Sequence, residues 1–373
     1  MRYYIIAGEV SGDLHASFLM QEIKRDDPGA EFRFWGGDLM KKQGGEIVKH
    51  IKDLAFMGFV EVLFNLKTII NNLKICKKDI IEYNPDAVVL VDYPGFNLRI
   101  AKFSKRKGFP TFYYISPKVW AWKKGRIKTM RKVLTKLFVI FPFEEEFFKR
   151  NNLKADYVGN PLLDEIYQYR KENDKEEFLR VNNLGGKPII ALLPGSREQE
   201  IKSLLPLQTS LVDKFPEFDF VVAGVSSHSK DFYYKYILSN KAKLIFDKTY
   251  SILNVSHAAV VCSGTATLET ALFNIPEVVC YKANPISFAI GKLLVNLDYI
   301  SLVNIILNKM AVVELLQKDW NWEDLHKEFK KIAFDEQYRV QMQMEFSNLR
   351  TMLGNAGASR IVAKKIINEI EKK

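Results

Sequence analysis

Ala87-Val88-Val89-Leu90-Val91-Asp92-Tyr93-Pro94-Gly95-Phe96-Asn97 holds five apolar residues without a polar break, then an acid, a Pro-Gly turn and the start of a helical pattern. A strand apolar on both sides has both faces covered, as parallel strands of α/β sheets do. Asp92 then falls at the carboxyl end of that strand, where open α/β sheets bind their ligands. Similar short apolar runs flank it: Tyr3–Ala7, Phe32–Trp35, Thr111–Ile115 and Lys136–Ile140, with Leu14–Lys24 as an intervening helix. A second series follows at Ile189–Leu193, Phe218–Ala223, Lys243–Phe246, Ala258–Cys262 and Val278–Tyr281. Two βα series in 373 residues predict an α/β protein of two Rossmann-like domains, their parallel sheets facing a cleft. The turn Asn160-Pro161 and one charged helix over Arg170–Arg180 mark the seam. The expected division is 1–163, 164–345 and a C-terminal helix over 346–373 packing back across the domains.

Composition narrows the class. Apolar residues make up 47% and charged residues 27%, which excludes a disordered chain. Cys76, Cys262 and Cys280 are too few and scattered for a disulfide framework or a zinc site, which points to a reducing compartment. No apolar run approaches the ~18 residues of a membrane span. The apolar start of MRYYIIAGEVSGD gives way to a polar loop too soon for a signal peptide, so a cytoplasmic location is expected. The net charge of +11 is lopsided: residues 1–163 hold 28 basic against 18 acidic side chains, and residues 94–143 hold no acid at all. An anionic partner is implied: nucleic acid, a phosphorylated substrate or acidic lipid. No RNP, KH or zinc motif accompanies the charge, which disfavours nucleic acid.

Six segments have the residues for chemistry. In Gly8-Glu9-Val10-Ser11-Gly12-Asp13-Leu14-His15 a loop leaves a strand and opens a helix; it reads either as a tight capped turn or as a polar substrate site. Asp92 reads either as a general base with a raised pKa or as a cap of the following turn. In Pro194-Gly195-Ser196-Arg197, backbone amides and a guanidinium suit a phosphate, without the Lys of a Walker loop. Cys262-Ser263-Gly264-Thr265-Ala266-Thr267-Leu268-Glu269 places small residues at a helix start, suited to a diphosphate, with Glu269 one turn on as a ribose acceptor; a capping arrangement of Thr265 and Glu269 competes. Ser116-Pro117-Lys118-Val119-Trp120-Ala121-Trp122 sets two tryptophans among basic residues, one expected in the core and one at an interface. Phe56, Met57, Phe59, Val60, Leu63 and Phe64 form an apolar stretch that is either a buried helix or a lipid-contacting patch.

Taken together, GEVSGD, MGFVEVL, SPKVWAW, FPFEEEFF, LPGSREQEI, SGTATLE and LDYISLVNIIL, in this order between Ala7 and Leu316, resemble the lipid-A-disaccharide synthases. The resemblance implies a GT-B type, inverting glycosyltransferase. It would join UDP-2,3-diacylglucosamine to 2,3-diacylglucosamine 1-phosphate (lipid X) and release UDP, with no metal and no cofactor. By that resemblance Asp92 is the base for the acceptor 6-hydroxyl. Gly195, Ser196, Arg197, Ser263, Gly264, Thr265, Ala266, Thr267, Glu269 and Tyr281 bind UDP, with Tyr281 at the uracil. Gly8, Glu9, Ser11, Gly12, Asp13, Ser116, Trp120 and Trp122 face the acceptor in the cleft. The family often has a second acid where this chain has Gly95. The 1–163 domain would be the acceptor and membrane-facing one, and 164–345 the UDP-sugar-binding one. The enzyme would be peripheral on the inner face of a Gram-negative-type inner membrane, bind anionic lipid but no nucleic acid, and be able to form a homodimer. Another GT-B UDP-sugar transferase or a UDP-N-acetylglucosamine epimerase is the competing reading.

Overall fold

The computed structural model describes residues 1–54, 66–121, 125–172, 174–283 and 298–372. The chain forms two compact units: Met1–Asp164 with Asn355–Lys373, and Glu165–Gly354. The first holds seven strands: β1 (Arg2–Ala7), β2 (Glu31–Gly36), β3 (Glu46–His50), β4 (Ala87–Val91), β5 (Thr111–Tyr114), β6 (Lys136–Val139) and β7 (Asp156–Tyr157). All pair in parallel in the order β3-β2-β1-β4-β5-β6-β7. Alternation along these strands feeds two cores. Tyr4, Ile6, Val88 and Leu90 face the helices Leu66–Tyr83 and Pro94–Arg106, while Tyr3, Ile5, Val89 and Val91 face Val10–Asp26 and Ala358–Glu371. The sheet is thus covered on both faces, as its apolar runs require.

The second unit holds six parallel strands: β8 (Ile189–Leu193), β9 (Asp219–Gly224), β10 (Lys243–Phe246), β11 (Ser256–Cys262), β12 (Glu277–Tyr281) and β13 (Glu314–Leu316), in the order β10-β9-β8-β11-β12-β13. In each sheet the order reverses once, between β1 and β4 and between β8 and β11. These are the switch points at which such sheets bind ligands.

Two details differ from the sequence reading. The charged stretch over Arg170–Arg180 is two helices, Pro161–Glu172 and Lys175–Val181; Asp174 starts the second by accepting from the amides of Glu176 and Glu177. The helix Glu336–Leu353 runs through the expected boundary at 345/346. It buries Phe346, Leu349 and Leu353 within the second unit, so the returning segment begins at Asn355. That segment ends in the helix Ala358–Glu371, which lies on Val10–Asp26; Asp164 accepts from the amides of Gly357, Ala358 and Ser359 and so caps it.

Candidate active site

In the first unit the chain turns sharply after β4. Asp92 and Tyr93 are both left-handed, at φ +44° and +47°, which costs energy for residues other than glycine. The helix that follows begins at Pro94, which needs no amide hydrogen there, and no side chain caps it. Asp92 also accepts from the Tyr93 amide through its carboxyl group, so it supports the turn locally while staying available as a candidate base. Its backbone is fixed on three sides. Its N–H donates to Tyr114 O at 3.0 Å, and its carbonyl accepts from Asn97 Nδ2 at 2.8 Å and from the Tyr113 hydroxyl. Buried Asn97 also donates to the carbonyls of Val91 and Ile6, so one amide joins the ends of β4 and β1. The carboxyl group itself is pushed up to about 6, by burial first and by the nearby Glu9 second, against Lys118 and His15. Such a group is ionised at neutral pH yet remains a useful base.

Around it, Gly8 lies under the Tyr93 ring so closely that a Cβ would clash, and Gly12 packs on Ala7. Glu9 and Ser11 are exposed at the start of the helix Val10–Asp26. Gly8, Glu9 and Tyr93 help line a cavity of about 380 Å³ with Leu39, His50 and Leu54. Asp13 lines the same cavity, with its carboxylate already engaged. Its carboxylate accepts from the amides of Gly37 (2.6 Å), Leu39 (3.1 Å) and Met40 (3.1 Å) and ties the turn after β2 to the first helix. Ser116 is buried with its hydroxyl on Pro117 O at 3.0 Å. Trp120 is held inside the unit by Glu144 and two phenylalanines. Trp122 and the stretch with Phe56, Met57, Phe59, Val60, Leu63 and Phe64 lie outside the described residues.

In the second unit the turns after β8, β11 and β12 come together. Gly195 is left-handed at φ +96°, which lets the chain reverse before the helix Glu198–Thr209. The amides of Ser196 and Arg197 do not point to open solvent alone. Glu200 Oε2 accepts from both, at 3.2 and 3.1 Å, while its Oε1 pairs with Arg197 at 3.2 Å. Arg197 is otherwise exposed. Tyr281 stands near enough to feel the charges of Glu200 and Arg197. Buried Gln208 donates to the carbonyls of Leu193 and Val260, joining β8 to β11 as Asn97 joins β1 to β4.

After β11, Ser263 is anchored by its amide to Cys280 O and by its hydroxyl to Ile300 O. The helix Thr265–Leu272 starts from exposed Gly264 with no side-chain cap, so its first amides can receive an anion. Ala266 is half-buried there, and Thr267 is buried with its hydroxyl on Gly264 O. The capping arrangement of Thr265 and Glu269 does not form. Glu269 instead faces Glu165, whose carboxylate accepts from the Tyr250 hydroxyl at 2.9 Å. Burial, and then Glu165, push the Glu269 carboxyl up to about 8, so it is mostly protonated at neutral pH and can donate as well as accept.

Sequence reasoning missed Asn97, Gln208, Glu144 and Glu200 as site supports. Glu144 and Glu200 left a trace, each as the acid at the third position of a helix.

Two sheets of this topology, each with its switch-point turns at the carboxyl edge, define a GT-B fold. Solved structures agree. UDP-GlcNAc 2-epimerase from Neisseria meningitidis superposes with a TM-score of 0.69 at 13% identity, covering 99% of this chain and 100% of that one. A putative UDP-N-acetylglucosamine 2-epimerase from Listeria monocytogenes gives 0.70 at 12%, covering 100% and 97%. At such identities the likeness is one of fold. The sequence family described as lipid-A-disaccharide synthetase matches residues 3–367. Lipid-A-disaccharide synthase of Syntrophus aciditrophicus is 36% identical over 99% of this chain and 97% of its own length. That of Geobacter sulfurreducens is 32% identical over 100% and 98%. The chain belongs to the lipid-A-disaccharide synthase family, and it is a glycosyltransferase of lipid A biosynthesis.

Proposed function

We propose that the two units divide one displacement reaction between them. The donor is UDP-2,3-diacylglucosamine and the acceptor is 2,3-diacylglucosamine 1-phosphate. The acceptor 6-hydroxyl oxygen forms a bond to the donor anomeric carbon. The bond from that carbon to the diphosphate breaks, and UDP leaves with the electron pair. The hydroxyl proton passes to Asp92. One displacement inverts the anomeric centre and gives the β-1,6 disaccharide 1-phosphate. The observation that carries this reading is Asp92, a half-buried carboxyl raised to about 6 on a doubly strained turn at the edge of β4.

The leaving group is assigned to the second unit. Arg197 offers a charged fork, and the amides that open the helices Glu198–Thr209 and Thr265–Leu272 offer partial positive charge. Ser196, Gly264 and Thr265 bring backbone to the phosphates, Glu269 meets the ribose and Tyr281 the uracil ring. On the acceptor side Glu9 and Ser11 lie exposed at the turn after β1. The excess positive charge of residues 1–163 suits both the acceptor phosphate and an anionic membrane surface, at about 1 kcal/mol per well-placed Lys or Arg. No helix among the described residues is long and apolar enough to cross a membrane. Association at the cytoplasmic surface is the mode we propose.

Incubation with the acylated UDP-sugar and lipid X, read by mass spectrometry, tests the reaction. Disaccharide 1-phosphate and UDP in equal amounts are expected. Absence of disaccharide, or epimerisation of UDP-N-acetylglucosamine in its place, overturns it.

A further inference from the structure

Glu144 lies on the helix Pro142–Arg150, and an acid near a helix start ordinarily accepts from the free amides there. Its Oε2 does so, from Ile140 and Phe141 at 3.1 and 3.0 Å. Its Oε1 does something different: it accepts the indole N–H of Trp120, 24 residues upstream, at 3.0 Å. The Trp120 ring also stands edge-on to Phe143 and Phe141, at centroid distances of 5.1 and 6.4 Å. Glu144 is 1% exposed, and a buried polar group with this many donors rigidifies whatever it ties together.

What it ties down is the loop that leaves β5. That loop opens with Ile115 at φ +64°, a costly conformation for a β-branched residue. Strained backbone persists only where its surroundings over-determine it. Ile115 directly follows Tyr114, whose carbonyl accepts the Asp92 amide. Lys118, exposed on the same loop, acts through its charge on both Asp92 and Glu144.

We propose that Glu144 is a positioning residue for the acceptor side of the reaction: through Trp120 it holds the 115–121 loop in place beside Asp92. The inference rests on Asp92 as the base. Burial lifts the Glu144 carboxyl to about 7 against the pull of its three donors and of Lys118; Tyr157 of β7 also feels its charge. Donors bind the ionised form more strongly. The clamp therefore tightens as pH rises through 7, separately from the ionisation of Asp92.

The test compares E144Q and W120F in the full chain, with kcat, separate KM values for the acylated UDP-sugar and lipid X, pH profiles and thermal melting. E144Q is expected to raise the KM for lipid X about tenfold, and W120F about threefold, as loss of one charge-assisted bond allows. The donor KM should stay within twofold, and the ionisation near 7 should vanish from the E144Q profile. W120F keeps the two backbone bonds of Glu144 and so reports even if E144Q does not fold. Equal changes in both KM values, or none in folded variants, overturn the proposal. D92N is measured alongside. Wild-type turnover in D92N removes the base and the inference with it, whereas an inactive D92N with unaltered E144Q and W120F removes the positioning role alone.

Discussion

At its switch point the first unit places Asn97, donating to carbonyls of β1 and β4; at its own, the second places Gln208, donating to carbonyls of β8 and β11. Strands diverge there, and a buried amide satisfies carbonyls that would otherwise lose their partners. On this shared frame the turns carry opposite electrostatics. The turn of β4 ends in a carboxyl group that has no ion pair within 4 Å among the described residues and whose burial raises its pKa. The turns of β8 and β11 present helix amides and an arginine. One edge is suited to take a proton, the other to receive an anion. The same supersecondary unit thus acquires its chemistry from a few residues after each strand.

Removing the carboxyl group of Asp92 is the strongest way to break this contrast. D92N should lower turnover by 10²-fold or more, within the ~10²–10⁴ range of general-base effects, with UDP affinity by calorimetry nearly unchanged. In the wild type, kcat/KM should climb as pH rises through about 6, because only the ionised carboxylate accepts the proton. An acid limb that survives in residual D92N activity would assign that ionisation elsewhere.

On the anion-binding edge the effects are smaller. R197A should cost kcat/KM about 10- to 100-fold, the loss of one charge-assisted contact. Glu200 sharpens the comparison, because its carboxylate already occupies the amides of Ser196 and Arg197 that a diphosphate would seek. E200Q, whose neutral oxygen holds those amides less tightly, should therefore tighten UDP binding severalfold, at a stability cost below about 1 kcal/mol because the amide can still cap the helix. Weaker UDP binding in E200Q would mean that Glu200 presents those amides to the ligand instead of competing for them.

How much of this could be read in advance follows from the same physics. The central strands were legible, since five buried apolar residues in a row admit few other readings. Glu46–His50, Asp156–Tyr157 and Glu314–Leu316 were not recognised. Each closes a sheet at an edge, where one flank meets solvent and the apolar run thins to one or two residues. The turns after β1, β4, β8 and β11 were legible because glycine or proline and a helix start mark them. Their supports were hidden. Asp13 looked like a site acid, but its partners are amides 24 to 27 residues away; Glu144, inside the FPFEEEFF run, holds Trp120, 24 residues upstream. Such roles depend on contacts that no local pattern encodes.

The two units also differ in how they bury acids away from their sites. In the first, Asp79 accepts from Tyr4 at 2.6 Å and from Arg33 at 2.6 and 3.0 Å. In the second, Glu277 at the start of β12 is fully buried, and neither carboxyl oxygen finds a hydrogen-bond partner among the described residues. Burial alone therefore raises its pKa well above the ordinary value, and the folded protein holds it protonated. In the unfolded chain it ionises near its ordinary pKa of about 4.3. Between these two values unfolding releases a proton, so the contribution of Glu277 to stability is complete below the lower one and declines as pH rises toward the upper. The amide that E277Q introduces carries no such proton. The melting temperature of E277Q relative to wild type should accordingly be higher at pH 8 than at pH 5, by roughly 2–4 °C if the linkage is worth about 1 kcal/mol. A pH-independent difference would show that Glu277 has a partner in solution, and the contrast with Asp79 would disappear.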